Sequence, residues 1–114
     1  IAMPWDANAG GDIFGGWLMS QMDLGASVVA RQRAMGRTAT VACDGLQFLK
    51  PVMVGDLVSI HADLVSEGRS SMRISVEVWV RRQIYEDHVK VTEAMFTFVA
   101  LDEAGNTRTL PLQP

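Results

Sequence analysis

The chain has 114 residues, one domain's worth, and its hydrophobic fraction of 48% and charged fraction of 20% are ordinary for a folded protein, which excludes disorder. Thirteen acidic against ten basic residues give a formal charge of −3, which argues against a dedicated nucleic-acid binder. The single cysteine, Cys43, excludes an intramolecular disulfide and a cysteine-cluster zinc site.

One thiol suits a reducing compartment, so a cytoplasmic location is expected. No apolar run approaches the roughly 20 residues of a membrane helix, and no signal peptide is visible. The chain begins at Ile1, so a trimmed natural N-terminus is expected. A core this small gains from subunit association, which leaves a site shared between subunits open.

The first sixteen residues read as a loop. Gly10, Gly11, Gly15 and Gly16 mark a backbone that bends or approaches something closely. A helix is predicted from about Gly16 to Met35, because Leu18, Met22, Ala26 and Val29 repeat on one face of a 3.6-residue period. Gly36 is the expected stop. Gly25, inside the helix, costs roughly 1 kcal/mol against alanine and points to close packing.

The remainder reads as strands. Thr38 to Leu49 is rich in Thr and Val and ends at Lys50-Pro51. Leu57 to Ser66 alternates, with Val58, Ile60, Ala62 and Leu64 on one side. Met72 to Arg82 alternates again, with Met72, Ile74, Val76, Val78 and Val80 inward. Lys90 to Leu101 is the last strand. Short turns at Val54-Gly55-Asp56 and Glu67-Gly68-Arg69-Ser70 imply antiparallel pairing. The layout is α+β, a single domain over 1–114, with one long helix laid across the apolar face of a curved antiparallel sheet.

Four sets of residues could carry chemistry. Asp23 stands mid-helix between Met22 and Leu24, where aspartate is a poor helix former. It is either a solvated surface carboxylate or one at the edge of a dry interface, suited to act as general base or nucleophile. The Gly15-Gly16-Trp17 helix start exposes backbone N–H groups and the positive end of the dipole. It is either a tight turn or an oxyanion site. Asp23 lies about 10 Å along the axis from Gly16, so both reach one ligand only if a neighbouring subunit's helix brings them together.

Asn8 and Asp12 either stabilise turns, or Asn8 holds a water or carbonyl near the base. Gly68-Arg69-Ser70-Ser71, with Arg81-Arg82 and Lys50, either hold phosphates by charge-assisted bonds or are solvated strand ends. His61, on the polar side of its strand, and His88, in the turn Glu86-Asp87-His88, read as ordinary surface. No HExxH, Ser-His-Asp, P-loop or GxGxxG pattern is present, so no cofactor or metal is expected.

The stretch Ala2-Met3-Pro4, then Asp6-Ala7-Asn8-Ala9-Gly10-Gly11-Asp12-Ile13-Phe14-Gly15-Gly16-Trp17-Leu18-Met19-Ser20-Gln21-Met22-Asp23, closely resembles the signature of the YciA-like acyl-CoA thioesterases. Phe48-Leu49-Lys50-Pro51-Val52, Gly68-Arg69-Ser70-Ser71, Val76-Glu77-Val78-Trp79-Val80 and Thr92-Glu93-Ala94 extend the likeness over nearly the whole chain. The resemblance implies the hotdog fold, dimers paired edge to edge and assembled as a trimer of dimers, and hydrolysis of acyl-CoA to a free acid and CoA without a cofactor. It further implies that Asp23 is the catalytic acid position, that the Gly16 N–H polarises the thioester carbonyl, and that Asn8 is a loop asparagine of the site. Gly15, Lys50, Gly68, Arg69, Ser70, Ser71, Arg81 and Arg82 would then serve CoA, and Met19, Met22 and Met72 would adapt to varied acyl groups. One departure stands out: the family reads Asn-Ala-Asn-Gly where this chain has Asn8-Ala9-Gly10-Gly11.

Two competing readings remain. One is a non-catalytic acyl-CoA-binding or sensor module on the same fold. The other is an enoyl-CoA hydratase, whose chemistry wants a histidine beside the acid, and neither His61 nor His88 lies in such a motif.

Overall fold

A computed structural model describes residues 1–82 and 87–113. After a short 3₁₀ turn at Pro4–Asp6 come helix α1, Gly15–Ala34, and four strands: β1, Thr38–Phe48; β2, Leu57–Glu67; β3, Ser71–Arg81; and β4, Val89–Ala100. The strands form one antiparallel sheet in the order β1-β4-β3-β2. The helix packs across one face of it, which is the expected layout.

The core is the seam between helix and sheet. Met72, Ile74, Val76, Val78 and Val80 are buried along β3, as their alternation predicts, and Phe96, Phe98 and Ala100 bury beside them from β4. Val58, Ile60, Ala62 and Leu64 of β2 pack on the edge of this cluster. On the helix the buried row is Leu18, Met22, Ala26, Ala30 and Ala34, stepping by four residues. Val29, expected in that row, is only partly buried beside it. The three alanines bring the helix axis close to the sheet, and a larger residue continues the row poorly.

The helix also ends one residue before its expected stop. Met35 takes the left-handed conformation at φ 54°, and its N–H donates to the Arg31 carbonyl. Gly36 serves a different need. A Cβ there would stand 3.0 Å from Arg108 Nη2, and that same nitrogen donates to the Ala34 carbonyl at 2.8 Å. The glycine makes room for an arginine that satisfies the helix end.

Two irregularities in β1 set up the site. Thr40 pairs with Phe98 but Ala42 pairs with Thr97, so Val41 is a bulge. Directly paired residues share a face, so Thr40 and, beyond the bulge, Cys43 join Phe98 and Phe96 on the helix side of the sheet. Without the extra residue, Ala42 would face inward instead. The second irregularity, between Asp44 and Gln47, contains Gly45 at φ 61° and leaves Phe48 opposite Thr92.

Candidate active site

Asp23 is half-buried at the flank of the helix, one residue beyond the buried Met22. It lines a cleft of about 350 Å³ with Met19 and Ser20 of α1, Thr40, Ala42 and Cys43 of β1, and Phe96 of β4. The walls are mostly apolar carbon and sulfur, and the carboxylate is the one charged group among these seven residues. Thr40 Oγ1 donates to Asp23 Oδ1 at 2.6 Å, which ties the carboxylate to β1 at the cleft wall. Cys43 is affected by the same surroundings. Burial, and then the neighbouring carboxylates of Asp44 and Asp23, push its thiol above the ordinary value.

The helix start is open. Phe14 is the N-cap residue and offers no side-chain acceptor, so the N–H groups of Gly15 and Gly16 belong to the uncapped first turn. Gly16 is exposed, and a Cβ on it would meet nothing within 4 Å. Gly15 is enclosed, because its Cβ would stand 3.0 Å from Phe48 Cζ. The aromatic edge thus closes one side of the helix terminus and leaves the Gly16 side free.

The preceding loop is pinned in place. Phe14 N–H donates to the Asp6 carbonyl at 2.9 Å, Ile13 N–H to the Val52 carbonyl at 3.0 Å, and Asp12 bridges to Met53. Asn8 Oδ1 accepts from the Gly10 N–H at 2.9 Å and the Asp12 N–H at 3.2 Å. The asparagine oxygen therefore holds its own turn. A Cβ at Gly10 would meet that oxygen at 3.3 Å, so the glycine that replaces the second family asparagine sits tightly in the same turn.

Within one protomer Gly16 and Asp23 remain about two helical turns apart. The basic residues divide as well. Gly68 to Ser71 and Arg81-Arg82 flank opposite ends of β3, whose 11 residues span roughly 35 Å. At the first end, Arg69 Nε donates to Thr109 Oγ1 at 3.0 Å and the Arg69 carbonyl accepts from Leu110 N–H at 2.8 Å, which ties the turn to the C-terminal segment. Ser70 and Ser71 accept from the Ala100 and Gly68 N–H groups through their carbonyls.

At the other end, Lys50 and Arg82 line a cleft of about 160 Å³ with Pro51, Val80, Asp87, Val89 and Val91. Arg82 there is engaged by the buried Asp56, with Nε 3.0 Å from Oδ1 and Nη2 3.2 Å from Oδ2. Arg81 is half-buried beside it. His61 is exposed on β2 opposite Glu77, and His88 is exposed just before β4. Glu86 of its turn lies outside the described residues.

Two neighbours of Asp23 escaped sequence reasoning. Thr40 and Cys43 differ in parity along an alternating strand, and only the bulge at Val41 puts both on the helix side. Phe48 belongs to the Phe48-Leu49-Lys50-Pro51-Val52 motif, but its approach to Gly15 is a tertiary contact with no local signal.

Comparison with known proteins agrees with this architecture. A model of the thioesterase superfamily matches residues 10–84. The acyl-CoA thioester hydrolase YciA of Escherichia coli K12 is 49% identical over 116 residues, covering 99% of this chain and 88% of that protein. The hexameric thioesterase y2039 from Yersinia pestis superposes with a TM-score of 0.94 at 52% identity, covering 99% of this chain and 92% of that one. The hexameric hotdog fold thioesterase Cj0915 of Campylobacter jejuni gives a TM-score of 0.91 at 33% identity, covering 97% and 86%.

Proposed function

The chain belongs to the thioesterase superfamily, carries the hotdog fold and is an acyl-CoA thioester hydrolase, and from that premise we propose that the hydrolysis depends on Asp23. The observation that carries this reading is the Asp23 carboxylate itself, bonded to Thr40 at the wall of a largely apolar cleft of about 350 Å³. The apolar walls leave the Asp23 carboxylate as the one charged group of this cleft.

The proposed step begins with the thioester carbonyl oxygen meeting the Gly16 N–H at the uncapped helix start. Asp23 of a partner protomer then takes a proton from a water that attacks the carbonyl carbon, or attacks that carbon itself. The tetrahedral intermediate collapses with loss of the CoA thiolate, a good leaving group that needs no strong acid. On the water route this leaves the free carboxylic acid; on the direct route it leaves an acyl–Asp23 mixed anhydride, which a water then hydrolyses to the free acid and the regenerated carboxylate. Loss of one oxyanion donor costs about 3 kcal/mol in a well-studied acyl-transfer enzyme. Asn8 organises the loop that presents the helix start.

We place the CoA phosphates and nucleotide outside the cleft, toward Lys50, Arg81 and Arg82 at one end of β3 or toward Gly68, Arg69, Ser70 and Ser71 at the other. The separation of the two sets along β3 means that one protomer offers only one of them to a given CoA. A neighbouring protomer supplies whatever the other end contributes. We propose a homohexamer, by likeness to the hexameric relatives, built as three dimers that pair edge to edge. No described helix is long and apolar enough to cross a membrane, and a reducing, cytoplasmic setting fits the lone thiol.

Thiol release from acyl-CoAs ranging from acetyl to palmitoyl, read with a thiol-reactive dye beside Asp23→Ala, tests the reading. Release by the parent and its loss in the variant, with assembly unchanged by size-exclusion chromatography, is the expected result. Activity above about a tenth in the variant overturns the assignment of Asp23. Saturable CoA binding without release by the parent would instead indicate a sensor module.

A further inference from the structure

The helix start has an aromatic neighbour that no step of the hydrolysis yet uses. Phe48, the last residue of β1, points end-on at Gly15: its tip carbon Cζ would stand 3.0 Å from a Cβ on that glycine, with Cε1 at 3.4 Å and Cε2 at 3.6 Å. The glycine is what lets the ring come so near. Phe48 nevertheless stays 51% exposed. A large aromatic side chain that is fixed at its tip and open along its flank offers that flank to a ligand.

Two strands build this placement. From Asp44 to Gln47 β1 advances three residues, while their partners on β4, Met95 and Glu93, are only two apart. The extra residue reverses the alternation of β1 and turns Phe48 toward the helix, opposite the buried Thr92. The Leu49 and Lys50 N–H groups then both donate to the Val91 carbonyl, at 2.7 and 3.2 Å, which pins the chain directly after the ring. The Thr92 hydroxyl is fully buried and finds no hydrogen-bond partner among the described residues. The ring thus has the closed core on one side and the open helix start on the other.

The space beside the two glycines is therefore unequal. The ring fills that beside Gly15, whereas a Cβ on Gly16 would meet nothing within 4 Å. We propose that Phe48 is a positioning residue of this site: its ring bars the Gly15 side of the helix start and offers its exposed flank to the acyl thioester, so that the carbonyl oxygen aligns with the Gly16 N–H. This inference rests on the role of Gly16 proposed above. It adds the group that fixes how the thioester lies against that N–H.

The test is a double-mutant cycle of Phe48→Ala and Gly15→Ala in the intact assembly, beside Phe48→Leu and Gly16→Pro. Steady-state thiol release from one acyl-CoA is the readout, with thermal melting and size-exclusion chromatography as controls. A misplacement of about 1 Å can cost on the order of 100-fold, so Phe48→Ala should lose roughly 10- to 100-fold in kcat with KM within about threefold. Phe48→Leu keeps an apolar flank and should fall between Phe48→Ala and the parent. Gly15 has no left-handed φ, so an alanine there fits the backbone and acts by pushing back the ring. Gly15→Ala should cost about tenfold in the parent but less than about twofold in Phe48→Ala, where no ring remains to be pushed.

Phe48→Ala with kcat near the parent overturns the positioning role, and so does a Gly15→Ala loss of equal size in both backgrounds. A rise in KM with kcat unchanged marks a mere binding surface and also overturns it. Gly16→Pro removes the N–H in the first helical turn, where proline is tolerated. An active Gly16→Pro overturns the underlying role of Gly16 instead. Should Phe48→Ala fail to assemble, Phe48→Leu takes its place in the cycle.

Discussion

Gly25 of the helix lies directly beneath Ile60 of β2: a Cβ built on the glycine would stand 2.7 Å from Ile60 Cγ2. Two effects oppose each other at this position. Alanine would gain about 1 kcal/mol of helix propensity, but overpacking a tight seam costs typically 1–3 kcal/mol. The contact is closer than real Cβ atoms allow, so the second effect wins. Gly25→Ala should lower the melting temperature by several degrees, and Gly25→Ala combined with Ile60→Val should recover part of the loss. Calorimetry of the three variants checks both.

Arg82 grips Asp56 with two nitrogens, and Asp56 is fully buried while the arginine side chain is half exposed. Removing one partner of a fully buried pair costs about 3–5 kcal/mol. Water reaches Asp56 once a half-exposed arginine is gone, so Arg82→Ala should cost nearer 1–3 kcal/mol. The Met53 N–H, at 2.9 Å from Oδ2, stays as a partner. A thermal melt reads the stability loss. A rise in KM for acyl-CoA, with little change in stability, would mark Arg82 instead as a CoA contact.

Arg33 forms an ion pair with Glu67, Nη2 to Oε1 at 2.8 Å, and its Nη1 donates to the Pro111 carbonyl at 2.8 Å. The hydrogen bonds from Arg33 hold the Glu67 carboxyl below its ordinary 4.5. A carboxyl lowered in the folded state adds stability that is complete above the unfolded value and lost as the pH falls through the folded one. The melting temperature of the parent should therefore exceed that of Glu67→Gln by a constant margin above about pH 5. The margin should shrink steadily below about pH 4.5, and melts across this range check the sign.

Cys43 faces the same cleft as Asp23, and its thiol is raised by burial and by the two nearby carboxylates. The thiolate is the reactive form, so alkylation by iodoacetamide at pH 7.5 should be several-fold slower than for a free cysteine. Asp23→Asn should speed it. Mass spectrometry of the modified peptide over time gives the rates, and a saturating non-hydrolysable acyl-CoA analogue should slow the reaction further.

Much of this protein is legible in the chain itself. The inward row Met72, Ile74, Val76, Val78 and Val80 alternates without interruption, and each of the five is buried. The period of Leu18, Met22 and Ala26 places the helix, because those repeats report local geometry: each residue's face follows from its neighbours two or four positions away. Asp23 stands out for the same reason, as a poor helix former beside an apolar row. The long glycine-rich loop carried the family resemblance.

The tertiary structure decided the rest. Val29 gave way to Ala30 and Ala34, because the distance between helix and sheet chooses among equally periodic residues. Met35 rather than Gly36 took the left-handed turn, because Arg108, over seventy residues later, needed the space. Arg82 reads as a basic strand end, but it is tied to Asp56, a turn residue that the pairing of Leu57 with Arg81 brings alongside it. The cleft depended most on this level. One extra residue at Val41 reverses the parity of β1, and only the pairing of β1 with β4 reveals which residue is extra. That pairing brings Thr40 to Asp23. A bulge is defined by two strands together, so neither strand's own sequence contains it.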